Sequence, residues 1–363
     1  MELDRRARSQ SAARGGGGVS DKSTIEWTDA TWNPVTCTKV SAGCKNCYAE
    51  RLFHRAYGRE AIMTPSGHYH DGKELLGARI REFTDISIHP ERLDQPLRWK
   101  KSRRIFVNSM SDLFHEGVPD DFIGKCFYIM AHAAHHTFQV LTKRPERMER
   151  WFNEFLWLKN QLRKEDYPAP TFFGSGWPLK NVWLGVSVED QATANDRIPL
   201  LLQTPAAVRF VSYEPALGPV NLQSIDTGDA ILYPLRTWID VEGRGRAPCP
   251  RIDWIIAGGE SGPNARPSHP DWFRSVRDQC AAAGVPFFFK QFGEWLPRSH
   301  SAAGMMPRAG QWGTVIANGT FFSQTTAFNG HDDDGSGEAI MFRVGKKIAR
   351  RLLDGRTHDE YPA

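Results

Sequence analysis

The stretch NVWLGVSVEDQATANDRIPLLLQTPAAVRFVSYE, residues 181–214, holds the pattern that decides the architecture. A near-continuous apolar run (181–188) leads into an amphipathic helical stretch, ANDRIPLLLQ (194–203), and then into a second apolar run, VRFVSYE (208–214). Apolar runs of this length read as buried parallel strands, and a helix between two of them makes a βα repeat. The same unit recurs on both sides. RIFVNSM (104–110), TFQVLTK (137–143), RIDWIIAGG (251–259) and VPFFFKQ (285–291) read as further strands. DDFIGKCFYIMAHAA (120–134), PERMERWFNEFLWLKNQL (145–162) and PDWFRSVRDQCAAA (270–283) read as helices. Six such units, or seven with an irregular first strand, indicate an α/β fold built as a partial or complete parallel βα barrel. A doubly wound open sheet is the other arrangement the pattern allows.

Outside this rhythm, residues 1–22 are polar, arginine-bearing and interrupted by four glycines, and are expected to be a disordered basic tail. Residues 23–296 then form the barrel, and residues 297–363 a C-terminal loop or appendage with a final helix packing on it. Two stretches, 163–180 and 222–250, read as loop insertions.

Three cysteines fall within TWNPVTCTKVSAGCKNCYAER: Cys37, Cys44 and Cys47. Three thiolates on one short loop cannot all pair with each other, so they point to a metal. A closed zinc site wants four ligands, and His54, His68 or His70 could supply the fourth. An iron–sulfur cubane held by three cysteines leaves one iron open to bind a ligand. Cys126 and Cys280 lie in apolar helical stretches and are expected in the core; Cys249 is isolated.

Every apolar run ends in polar residues, at the strand ends where parallel α/β folds bind ligands. These endings include Asn108, Ser109, Ser111 and Asp112, then Lys143 and Arg144, then Ser187 and Glu189. Ser212 and Glu214 follow, then Gly258, Gly259 and Glu260, and last Lys290 and Gln291. Six polar endings in succession point to one lined cavity, with Glu214, Glu260 and Lys143 as candidate catalytic groups. A structural ion-pair network is the competing reading of the same charges. The glycines of GGESGPNARP (258–267) would let backbone approach a ligand, with Arg266 placed for an anionic group. His132 and His136 are spaced for a helical metal pair, but their place at a helix end favours capping or exposure. Trp27, Trp32 and Trp99 suit either base stacking or the core.

The chain has 363 residues, a net charge of +4 and a pI near 8.7. That balance permits nucleic-acid binding without arguing for it. No apolar run is long enough to span a membrane and no signal-peptide core is present, so a cytoplasmic protein is expected.

The string IEWTDATWNPVTCTKVSAGCKNCYAE resembles the start of a phage and prophage three-cysteine-motif family of unknown function. The resemblance continues through FVNSMSDLFHEGVP, FQVLTKRPERM, VWLGVSVEDQ, RFVSYEPALGPV, DWIIAGGESGPNARP and PFFFKQFGEW, and ends at FRVGKKIARRLLDG. It implies a three-Cys-motif partner protein. More distantly, the cysteine loop and barrel resemble the radical S-adenosylmethionine (SAM) superfamily, including its spore photoproduct lyase-like branch. The gap between the first two cysteines is longer here than that superfamily's usual spacing, and Thr36 stands where the phage family has glycine.

The second resemblance implies a [4Fe–4S] cluster on Cys37, Cys44 and Cys47, with SAM at its open iron. Asn108, Ser109, Ser111, Asp112, Ser187 and Glu189 would then face the cofactor. Phage association and the Lys143, Arg144 and Arg147 cluster favour a nucleotide or nucleic-acid substrate for repair or modification. The rival reading is a zinc- or cluster-stabilised nucleic-acid-binding protein acting with a partner, without SAM chemistry. A third is a hydrolase or nuclease using Asp112, Glu189 and Glu214, three strand-end carboxylates able to bind Mg²⁺.

Overall fold

A computed structural model describes residues 23–57, 61–70, 73–80, 82–161, 177–301, 307, 311–324 and 337–363. The expected tail at 1–22 and most of the insertion at 163–180 lie outside the described residues. At the centre is a seven-stranded, wholly parallel sheet whose strands follow one another in chain order. They are β1 (Ala30–Trp32), β2 (Arg104–Val107), β3 (Thr137–Thr142), β4 (Val182–Val188), β5 (Val208–Tyr213), β6 (Trp254–Gly258) and β7 (Phe287–Gln291). Helices α2 (Asp120–His132), α3 (Pro145–Gln161), α4 (Gln191–Gln203) and α5 (Pro270–Ala283) supply crossovers. A further helix, α1 (Tyr48–Tyr57), follows the cysteine loop directly and was not legible in the sequence.

Sequential strand order has a physical consequence. Right-handed crossovers that all step in one direction put every helix on the same face. The twisted sheet therefore curls, convex toward the helices, into a half-barrel. The alternative of a doubly wound sheet, with helices on both faces, is excluded by this order. Side-chain alternation sorts the strand residues accordingly. Ile105, Val107, Phe138, Val140, Leu184, Val186, Val211, Ile255, Phe287 and Phe289 point outward into the main core beneath the helices. Phe106, Phe210, Trp254, Ile256 and Phe288 point inward and pack with Trp27 as a separate aromatic floor. Trp27 contacts Phe106 at 4.5 Å and Trp254 at 6.2 Å between ring centres.

The floor closes from below with the last residues of the chain. Phe289 donates its backbone N–H to His358 O at 2.9 Å, and Trp254 Nε1 donates to Glu360 O at 2.8 Å. Tyr361 lies against Trp254 and Phe288, with the Arg104 guanidinium 4.2 Å above its ring. This tail replaces the expected final helix, of which only the four residues Lys346–Ala349 form. It also covers the exposed edge of β7, which would otherwise offer unpaired backbone.

One expectation of irregular structure is corrected. Residues 222–250 form a four-stranded antiparallel meander (Ile225–Asp226, Ala230–Leu232, Trp238–Val241, Gly245–Pro248) rather than a loop. The C-terminal appendage is a second antiparallel sheet, made of Trp295–Pro297, Trp312–Ile316, Phe321–Ser323 and Glu338–Arg343. Strands this short and half-exposed leave no apolar run to read. A hairpin of Ala61–His70 with Lys73–Ile80 was also not foreseen. Among the described residues no helix is long and apolar enough to cross a membrane.

Gly185 sits on the inner face of β4, and a Cβ there would come within 2.6 Å of the Phe210 ring. Gly185→Ala should therefore overpack the floor and lower stability by about 1–3 kcal/mol, read from the urea midpoint. A midpoint equal to the wild type would mean Phe210 does not lie over this glycine.

Candidate active site beneath the cysteine loop

The upper half of the concave face is not filled. A cavity of about 630 Å³ lies there, a size typical of small-molecule sites. Its floor is the aromatic layer and its wall is made of strand ends. Its roof is the loop that follows β1 and carries Cys37, Cys44 and Cys47, all of which line it. Of the sequence-predicted residues, Asn108, Ser109, Ser111, Asp112, Lys143, Ser187, Glu214 and Glu260 also line it. Glu189 is the exception, buried behind Lys143 at 1% exposure.

Most of the charged groups are occupied with one another, as the network reading expected. Glu189 pairs with Lys143 and, at 3.0 Å, with Arg197 Nη1; Ser41 Oγ donates to it at 3.1 Å. Asp112 accepts from Thr142 Oγ1 at 2.7 Å, from Lys143 N at 3.0 Å and from Arg144 Nη1 at 3.2 Å. Lys290 Nζ lies 3.1 Å from Glu214, to which Ser212 Oγ also donates at 3.3 Å. Asp112, Glu189 and Glu214 are thus held by separate cations. Arg144 spans Asp112, Glu116 and Thr38, and Arg147 is held by His115 O, Val118 O and Asp120. The Lys143, Arg144 and Arg147 cluster is therefore not an open basic patch, which removes that argument for a nucleic-acid partner.

These contacts also dock the cysteine loop. Gly43, between the first two cysteines, lies so close to Glu189 that a Cβ would meet its carboxylate at 2.5 Å. At the other end Asn46 Nδ2 donates to Glu260 Oε2 at 3.0 Å, and Arg266 donates to both Glu260 oxygens and to Ala42 O. Arg266 thus serves this carboxylate rather than a ligand. Burial disfavours the charged form of Glu260, but the hydrogen bonds from Arg266 and Asn46 outweigh it and hold the carboxyl below its ordinary range. The room beside Gly258 and Gly259 goes to the chain itself: Glu214 abuts the first and the Phe292 carbonyl the second.

The thiols are free and sit in an apolar setting, Cys37 and Cys47 against Ala49, Phe53 and Phe83. Burial, reinforced by the Asp112 charge, pushes the Cys37 thiol up to about 12, although Arg144 Nη1 lies 3.9 Å from its sulfur. Cys47 is also raised, chiefly by burial. Among the described residues no three His, Cys, Asp or Glu side chains stand together in metal-ligating geometry. The donor set nevertheless suits a soft metal: three thiols of one loop on one cavity wall, which a bound cation would deprotonate. His54 is exposed, and the side chains of His68 and His70 lie outside the described residues. His132 bonds Tyr128 O and buried His136 bonds Pro96 O, so this pair is structural. Trp32 and Trp99 are core residues, and Trp27 belongs to the floor.

Sequence reasoning missed Ser41, Asn46 and Arg197. Arg197 had a readable signal, since it shares the buried face of α4 with Ala194, Ile198 and Leu201. A buried arginine on an apolar face requires an internal carboxylate. Ser41 and Asn46 carry no such mark.

The Glu260 clamp sets a pH dependence. Its folded pKa is depressed below the ordinary 4.5, so the clamp stabilises the loop above that value and is lost as pH falls through the folded pKa. Amides of residues 42–47 should lose hydrogen-exchange protection, after correction for intrinsic rates, between about pH 6 and a pH well below 4.5 at which the Glu260 carboxyl is protonated. Glu260→Gln should show weak protection throughout. Equal protection at both pH values in the wild type would show that Glu260 does not anchor the loop.

No curated protein and no solved structure matches the chain. A family model described as "Protein of unknown function (DUF5131)" matches residues 22–362. With nearly its whole length covered, this chain belongs to the DUF5131 family.

Proposed function

We propose that the protein is a radical SAM-type iron–sulfur enzyme acting on a nucleotide or nucleic acid. One observation carries the reading: three thiols of a single loop roof a cavity walled by the carboxyl ends of a parallel half-barrel. Soft donors and an enclosed space for an organic ligand are both needed for this chemistry, and here they share one wall. The distant likeness of the cysteine loop and barrel to radical SAM enzymes is the second ground for this reading.

Cys37, Cys44 and Cys47 would hold a [4Fe–4S] cluster. Bound there, such a cluster would supply one-electron reductive chemistry to a sulfonium cofactor, drawing its electron from an external one-electron donor. The chain's own residues bind and orient. Ser187, Ser109 and Ser111 offer hydroxyls to the cofactor and substrate along the cavity wall. Lys143 and Glu214 place one charge of each sign at the strand ends, compensated by Glu189 and Lys290 respectively. Asp112 and Glu260 act through others: Asp112 sets Arg144 against the loop, and Glu260 pins Asn46. The aromatic floor and the C-terminal tail exclude water from below, protecting radical chemistry from quenching.

Anaerobic purification should yield about four irons and four sulfides per chain, with visible absorption that bleaches on dithionite addition. Cys→Ala at 37, 44 or 47 should each abolish both. One zinc per chain without visible absorption would overturn the reading and favour a nucleic-acid-binding protein acting with a partner.

A further inference from the structure

The cavity wall carries polar atoms that the anchoring network leaves unused. Asn108 is only 3% exposed, and neither its amide nitrogen nor its amide oxygen has a hydrogen-bond partner in the protein. Trp27 Nε1, Ser111 Oγ and Gln291 Oε1 are likewise buried and unpartnered. All four side chains line the same cavity. Asn108 also has a left-handed backbone, with φ 62°, which is uncommon outside glycine. An unpaired buried amide and a strained backbone both oppose folding. Their coincidence on a cavity wall marks a residue held ready for a ligand.

The position defines what such a ligand must be. Asn108 follows β2 directly, two residues beyond the floor residue Phe106, and donates its backbone N–H to Trp32 O at 2.8 Å. It therefore stands just above the aromatic layer, with Leu141 and Met110 among the nearby lining residues. The charges on the wall are paired, Lys290 with Glu214, Lys143 with Glu189, Lys39 with Glu50 and Lys346 with Glu26, so among the described residues no free cation waits there for a phosphate or carboxylate. The setting suits a flat, uncharged group with an adjacent donor and acceptor. A carboxamide matches such an edge with two hydrogen bonds, as it does on nucleobases.

We propose that Asn108 reads the edge of a substrate nucleobase inserted to the floor of the cavity, between the apolar side chains of Trp27, Phe106 and Leu141. A base reaches this depth only from a nucleotide, a single strand or an extruded position in a duplex. The assignment rests on the proposed function only in giving the base to the substrate, because the adenine of SAM offers the same kind of edge.

The test uses the full-length protein as purified anaerobically, titrated calorimetrically with adenosine, cytidine, guanosine, uridine and SAM. At least one nucleoside should bind, and Asn108→Gly should weaken it about tenfold or more. Glycine is unstrained at positive φ, so the same variant should melt at or above the wild-type temperature. Asn108→Asp, which keeps the size but loses the donor, should change the order of preference among the four nucleosides. Three results would each overturn the proposal: no nucleoside binding at millimolar concentration, unchanged binding in Asn108→Gly, or binding of SAM alone. A lowered melting temperature in Asn108→Gly would also count against it, by making the amide structural. Finding zinc in place of iron ends the radical reading and leaves nucleoside binding standing, so the two failures are distinguishable.

Discussion

The burial of Glu189 is the constraint on which the upper half of the molecule depends. Its carboxylate lies at the end of β4 with 1% of its surface exposed, where an unpaired charge would be strongly destabilising. Lys143 from the end of β3, Arg197 from α4 and Ser41 from the cysteine loop meet it there. Three stretches distant in sequence, around residues 41, 143 and 189–197, are thereby tied at one point. Gly43 lets the loop come close enough to join them, because any larger residue would collide with the same carboxylate. Glu260 does the equivalent at the far end of the loop through Asn46 and Arg266. The three thiols are carried by a segment pinned at both ends to the rim of the sheet.

Below that rim, the curl of the sheet decides what is cavity and what is core. Sequential parallel strands send all helices to the convex side, so the concave side must be filled by side chains or by a ligand. Large aromatic residues fill its lower half, and the C-terminal tail seals it. In the upper half the inward positions turn from Phe106, Phe210 and Ile256 to Asn108, Ser187, Ser212 and Glu214. The change from aromatic to polar along the same inward face separates a packed floor from a ligand-sized space. Lys346, paired with Glu26 at 2.9 Å, also lines this space, on the side where β1 and β7 are not joined.

Charged residues in this site mostly position the protein, while a few uncharged ones, Asn108 and Ser111 among them, are left free to meet a ligand. Arg144 and Arg266 look like anion binders in sequence, yet their guanidinium groups are spent on Asp112, Glu116 and Glu260. Buried cations need carboxylates close by, and a folded chain supplies them before any ligand arrives. Asn108 and Ser111 have no such obligation.

The sequence by itself determined the parallel α/β class, the places along the chain of six strands and four of the helices, and most of the strand-end residues that line one cavity. These follow from local apolar periodicity and from the direction of parallel strands, which brings all their carboxyl ends to one side. It also marked the three cysteines as one group. Tertiary structure alone decided that the barrel is half open, that the tail seals its base and that the 222–250 insertion and the C-terminal appendage are small sheets. It alone decided the ion pairing as well: which carboxylate meets Arg266, Arg197 or Lys143 depends on distances between residues far apart in the chain. The same holds for Asn108, whose strain and unpaired amide arise only when the curled sheet closes around it, because no local pattern records what a buried side chain fails to touch.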